Sequence, residues 1–223
     1  FLREVDEELR RDELQSLWKR FGRLIIGGIV LVLAAWGGWL YWQDRETRAA
    51  GLEGEQLSQA LDDLQSGNPD AALAKLGPLA ESKQVGYRAS AKMAQAAVAM
   101  ERNDLAGAAK MFGEVATDTR IPQPWRDLAL VRQTAAEFDA VKPELIVARL
   151  RPLAAKGNPW FGSAGEMVAA AYLKMGKAEL AGKMFADISK DENVPETIRS
   201  RAVQMAGSLG ADAINPPAKE VTQ

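Results

Sequence analysis

The chain has 223 residues, enough for one or two domains with a buried core, and its 47% hydrophobic and 26% charged content is an ordinary globular balance. A net charge of −2 gives no footprint for a nucleic-acid partner. With neither histidine nor cysteine, the usual Cys/His zinc sites and all histidine- or cysteine-based acid/base and nucleophilic chemistry are excluded.

Alanine- and leucine-rich runs dominate and β-branched residues are sparse, which predicts helices. The sequence opens on Phe1 rather than Met, so residues are expected to precede it. The first segment, 1–23, reads FLREVDEELRRDELQSLWKRFGR. Leu2, Val5 and Leu9 form an apolar stripe, and Leu14, Leu17, Trp18 and Phe21 continue it. This is the pattern of an amphipathic helix lying on a membrane surface or against a partner.

Residues 24–42, LIIGGIVLVLAAWGGWLYW, carry no charge. As a helix they would extend about 28 Å, close to the roughly 30 Å hydrocarbon core of a bilayer. Trp36, Trp39, Tyr41 and Trp42 gather at the C-terminal end, as interfacial anchors do. Arg10, Arg11, Lys19, Arg20 and Arg23 precede the span, while only Arg45 and Arg48 follow at similar distance. The positive-inside rule puts 1–23 in the cytoplasm and everything from Gln43 outside, in the periplasm of a Gram-negative bacterium. The span is too long for a cleaved signal's apolar region and lacks a clean cleavage site, so it is expected to remain as an anchor. Ala34 and Gly38, four residues apart, would let another membrane helix approach closely.

Beyond the span the chain repeats itself. AKLGPLA at 74–80 returns as ARLRPLA at 148–154, and AAKMF at 108–112 returns as AGKMF at 181–185. Ile121-Pro122, Arg126 and Ala129 meet Val194-Pro195, Arg199 and Ala202, all 73 positions on. The order is kept throughout, which predicts a tandem duplication of a unit of about 73 residues. Each unit reads as two helical hairpins. In the first, a helix ending at Gly67-Asn68-Pro69 pairs with 70–82, and 87–104 pairs with 105–119. In the second, 127–140 pairs with 144–155 and 161–175 with 178–190, and 199–209 closes the stack. Half a unit is near the length of the 34-residue helix–turn–helix repeat, though the early tryptophan of that repeat is absent. The fold expected is all-α: one N-terminal transmembrane helix, then an α-solenoid over 43–210, in which stacked hairpins share a core no single hairpin can form. The tail 211–223, with its proline pair, is expected to be disordered.

A cytoplasmic EVDEEL…LWKRFGR, one Trp-ended span and divergent tetratricopeptide-like repeats outside resemble the ancillary SecYEG translocon subunit family of bacterial inner-membrane proteins. The resemblance covers nearly the whole chain and is most specific over 1–43. It implies a single-pass protein associated with Sec translocon subunits, working with a periplasmic chaperone or with exported polypeptides. It carries no catalytic motif.

No constellation of residues argues for an enzyme, and no metal or cofactor is expected. The three carboxylates of DISKDEN, 187–193, lack the spacing and central glycine of a calcium loop. Asp62 and Asp63 are adjacent on a helix and do not face each other. The expected partner surface is the concave wall formed by the first helix of each hairpin: Ser90, Met93, Ala97, Met100 and Glu101, then Ser163, Glu166, Ala170, Leu173 and Lys174. Trp125, Trp160 and Phe161, at hairpin junctions, are expected to cap the core. The leading reading is a membrane-anchored interaction protein at the translocon. The alternative is an accessory or assembly subunit of another inner-membrane complex, such as a respiratory one, because the fold alone does not choose.

Overall fold

The computed structural model describes the backbone of residues 2–211 and the side chains of residues 26–45, 48 and 50–211. The apolar stripe expected on Leu2 to Phe21 and the tail from 212 lie outside those side chains. The chain divides into two compact units, Phe1–Gly54 and Glu55–Gln223. Among the described residues all regular structure is α-helical.

The first unit is formed by helix α1 (Leu2–Gln65), whose last turns belong to the second unit. The side chains of Ile26 to Arg45 are all exposed, and Leu31, Val32 and Leu33 show 72%, 65% and 58% of their surface. An exposed apolar run of this size is the kind of surface that meets a membrane or a partner.

In the second unit, α2 (Pro69–Ala80), α3 (Val85–Glu101), α4 (Leu105–Thr117) and α5 (Gln123–Ala136) follow. Then come α6 (Pro143–Leu150), α7 (Phe161–Lys174), α8 (Ala178–Ser189) and α9 (Glu196–Ser208). The turns are set by local chemistry. Gly67 closes α1 at φ +75°, and Pro69 opens α2, where its missing N–H is no loss. Asn103 and Gly176, 73 positions apart, take the left-handed conformation in the α3–α4 and α7–α8 turns.

Several helix bounds differ from the sequence reading, among them the end of α5, at Ala136 and not 140, and the start of α9, at Glu196 and not 199. α5 starts at Gln123, not Asp127, because Pro122 serves as its N-cap and Pro124 fits its first turn. α6 stops at Leu150, not 155: Arg151 is its C-cap, and Pro152 has no N–H to continue the ladder. The pairing of α5 also differs. It packs along α4 over most of its length and meets α6 over a much shorter stretch.

Odd helices are neighbours in succession, α3 with α5, α5 with α7 and α7 with α9. Among the described residues no two even helices meet in this way. The odd helices thus form the closer-packed layer.

The core runs the length of this unit as linked apolar clusters. Leu76, Leu79 and Ala80 of α2 pack on Ala60 and Ala91, while Phe112 of α4 sits with Ala96, Ala108 and Ala136. Leu150, Leu153 and Ala154 pack with Val131 and Ala164, while Phe185 of α8 sits with Ala169, Ala181 and Ala206. The buried residues come in matched pairs: Leu76 with Leu150, Phe112 with Phe185, Val115 with Ile188 and Ile121 with Val194. Small residues between large ones let helix pairs approach closely and leave few voids.

Polar links recur with the same offset. Lys75 Nζ meets Asp63 Oδ2 at 2.5 Å, and 74 positions on Arg149 Nη1 meets Glu137 Oε2 at 2.5 Å. Before α5, Asp118 Oδ1 accepts the Arg120 backbone N–H at 3.0 Å. Before α9, Asp191 Oδ1 accepts the Asn193 N–H at 2.9 Å. Arg120, by its guanidinium and then its backbone N–H, and to a smaller degree Arg88, hold the Asp118 carboxyl well below the usual carboxylate range. A depressed value means that its support for the loop is present above the ordinary carboxylate pKa and is lost only as pH falls through the folded value, in strong acid.

Candidate interaction surfaces

Three surfaces of the molecule could meet a partner: the exposed helix of the first unit, the odd-helix layer of the second, and a groove between α6 and the α7–α8 turn.

On α1, Trp36, Trp39, Tyr41 and Trp42 are 58%, 55%, 62% and 62% exposed, and Ala34 and Gly38 are exposed as well. The guanidinium of Arg45 lies 5.2 Å from the centroid of the Tyr41 ring, a cation–π distance. Arg48 pairs with Asp44 at 2.9 Å, one turn away. From Ile26 onward α1 is long and apolar enough to cross a membrane.

On α3, Ala97 and Glu101 are exposed and Ser90 is half-buried. Met93 and Met100 are half-buried and pack against the cluster around Phe112; Met93 also touches the cluster around Val115. These two thioethers therefore fill core gaps with one side and face outward with the other. On α7, Ser163 and Ala170 are half-buried, and Leu173 packs against the cluster around Phe185.

Glu166 and Lys174 are tied to neighbouring helices. The Glu166 carboxylate accepts two hydrogen bonds from Arg201 of α9, the shorter at 2.8 Å. Lys174 Nζ donates to Asp139 Oδ1 at 2.5 Å and sits 4.6 Å from the Phe138 ring centroid, just past α5. The two α7 residues thus tie α7 to α9 on one side and to the segment just past α5 on the other, not to each other. Their partners are 35 positions away in sequence, and spacing along one helix could not have found them. Phe161 is buried and Trp160 packs on the core, whereas Trp125 keeps 43% of its surface exposed at the start of α5.

Two of the carboxylates named from the sequence have local partners. Asp63 binds Lys75, and Asp187 binds Lys156 at 2.8 Å beside a loop hollow of about 490 Å³. Among the described residues no group of three or more acidic side chains stands together as a cation site. A second hollow, about 460 Å³, lies between α6 and the α7–α8 turn, with Val147, Tyr172, Met175 and Leu180 along it.

What these helices make is an α-helical repeat protein whose apolar clusters follow one another from hairpin to hairpin. The family model of the tetratricopeptide repeat-like domain matches residues 15–206, and the chain belongs to that family. No curated protein and no solved structure matches it. A tetratricopeptide-like domain is a scaffold for protein–protein interaction, and proteins are accordingly the general class of partner here.

Proposed function

We propose that the protein is a non-enzymatic scaffold held in a bacterial inner membrane by α1, with its repeat domain in the periplasm and its N-terminus in the cytoplasm. The observation that carries the anchoring is the uncovered apolar run from Ile26, ended by four exposed aromatic residues, on a chain whose remaining apolar side chains build a core of their own. The lopsided arginines and lysines around the span support the orientation. The segments would be 1–23 in the cytoplasm, 24–42 in the bilayer and 43–210 outside.

The partner reading rests on the family resemblance of the N-terminal segment. The span and cytoplasmic helix dock on Sec translocon subunits, with Ala34 and Gly38 as close-approach positions. The repeat domain binds a periplasmic chaperone or an emerging exported chain. The closer packing of the odd helices supports placing the inner wall on α3 and α7, where Ser90, Met93, Met100 and Glu101 of one hairpin and Ser163, Glu166, Leu173 and Lys174 of the other stand. Helix starts at Leu105 and Ala178, and at Gln123 and Glu196, each 73 positions apart, support a duplicated unit.

The test is purification of the intact protein from native membranes in mild detergent, followed by mass spectrometry. Translocon subunits with a periplasmic chaperone are the expected companions. A full set of respiratory-complex subunits without the translocon would assign the protein to that complex instead. Protease added to spheroplasts should remove the chain from Gln43 onward. Survival of the repeat domain until the membrane is breached would reverse the orientation.

A further inference from the structure

The two matched hairpins agree in the core but not at the groove between α6 and the α7–α8 turn. In the first hairpin pair the corresponding place is closed by polar contacts. Arg102 Nη2 binds Asp70 Oδ1 at 2.7 Å across it, and Asp104 caps α4 by accepting the Gly107 N–H at 2.8 Å. A side chain at 107 would collide with that cap, since a Cβ there would lie 2.2 Å from Asp104 Oδ2.

In the second pair the carboxylate of Asp70 is kept as Glu144, and the other three positions differ. Met175 stands for Arg102, Lys177 for Asp104 and Leu180 for Gly107. Lys177 makes no side-chain cap, so α8 begins without the hydrogen bond that α4 has. Leu180 gains helix propensity over a glycine, but it stays 46% exposed, and the cap and the ion pair of the first hairpin pair have no counterpart here. What remains is an apolar groove with Tyr172, Met175 and Leu180 along it.

The rim is charged and unspent. Among the described residues, Glu144, Arg151 and Lys177 line the groove and make no ion pair with the protein. Two cations against one carboxylate leave the rim net positive. At the matched places of the first pair stand Gly77 and Asp104, so both cations are new to this hairpin.

We propose that this groove docks an amphipathic segment of a partner protein, which lays apolar side chains on Met175 and Leu180 and brings a carboxylate to Arg151 and Lys177. The site lies between α6 and the α7–α8 turn, its lining residues are not those of the proposed odd-helix wall, and it does not rest on the translocon reading. Apolar contact supplies the affinity and the rim selects the sign of the partner's charge.

The test uses the full chain in lipid nanodiscs. Because the chain has no cysteine, Leu145→Cys, on α6 next in sequence to Glu144 of the groove, can carry a single environment-sensitive dye. Leu105→Cys, at the start of α4, serves as the reference label. The probes are a short Leu/Glu amphipathic peptide and its Leu/Lys twin. The Leu/Glu peptide is expected to give a saturable response at 145, none at 105, and the twin a response weaker by about tenfold. Leu180→Gln should weaken the Leu/Glu peptide by about tenfold with helicity unchanged. Arg151→Glu with Lys177→Glu should transfer the preference to the Leu/Lys twin, an exchange that only a folded protein can show. Equal responses at both labels, or a preference that charge reversal leaves unmoved, would overturn the proposal. So would a response at 145 that grows with protein concentration without peptide, since that assigns the groove to a second copy.

Discussion

The two halves of the repeat domain are alike inside and unlike outside. Phe112 and Phe185 are 2% and 4% exposed, Leu76 and Leu150 both 0%, and each pair holds the same place in its half. Outside, Asp70, Arg102 and Asp104 of one half correspond to Glu144, Met175 and Lys177 of the other. A buried side chain touches neighbours on every side, so a change in one demands changes in several. An exposed side chain answers only to its cap, its ion pair or its partner. The likeness therefore reports packing, while the outside is free to differ.

The strongest way to break the comparison is at the matched phenylalanines. Phe112→Ala and Phe185→Ala should each cost about 3–5 kcal/mol, read as a shift in the urea midpoint for loss of helicity. A loss under about 1 kcal/mol for either would mean that the two interiors are not equivalent. A smaller effect sharpens the comparison, because the second half is packed more tightly at one point. Gly162 of α7 matches Ala89 of α3, and a Cβ at 162 would lie 2.7 Å from Val194 Cγ1. Gly162→Ala should destabilise by about 1–3 kcal/mol through overpacking. Ala89→Gly should cost about 0.5–1 kcal/mol by the same assay, chiefly in backbone entropy. If Gly162→Ala stabilises, the close approach of α7 to the loop before α9 is not real. Below these stand the paired ion bridges, whose side chains are roughly one-fifth to one-third exposed. Lys75→Met and Arg149→Met should each cost about 0.5 kcal/mol, less in high salt. A cost confined to one of them would show that the two bridges do not share a role.

Much of this architecture was legible in the sequence. Helix breaks at Gly67-Asn68-Pro69 and Arg102-Asn103-Asp104 follow from backbone chemistry, and the membrane-length run of α1 follows from the absence of charge. The offset of 73–74 residues was visible because core residues recur in order. What was not legible depends on contacts between helices. The ends of α5 and α6 turn on how prolines meet a particular N-cap and C-cap. The pairing of α5 with α4 depends on which faces of neighbouring hairpins meet. Glu166 and Lys174 could be placed on one face of α7, but not joined to Arg201 and Asp139 on separate elements. From the sequence Met93 and Met100 are expected on the concave wall, and both are half-buried and pack against the core on one side, which their position on the helix alone does not reveal.

The smallest effect tests whether the outer difference is a linked exchange or unrelated drift. At the head of α4, Asp104 and Gly107 fit each other: the carboxylate caps the helix because residue 107 has no Cβ in its way. At the head of α8, Lys177 and Leu180 fit each other in the opposite sense, with no cap to crowd and an apolar side chain in the space. Lys177→Asp alone should then gain almost nothing, because Leu180 would push the new carboxylate out of capping position. Leu180→Gly alone should lose helix propensity with nothing in return. Made together, the two changes should recover a favourable coupling of about 0.5 kcal/mol in a double-mutant cycle on urea midpoints. Simple additivity would mean that the two positions changed independently, and the groove beside α8 would then have no linked exchange behind it.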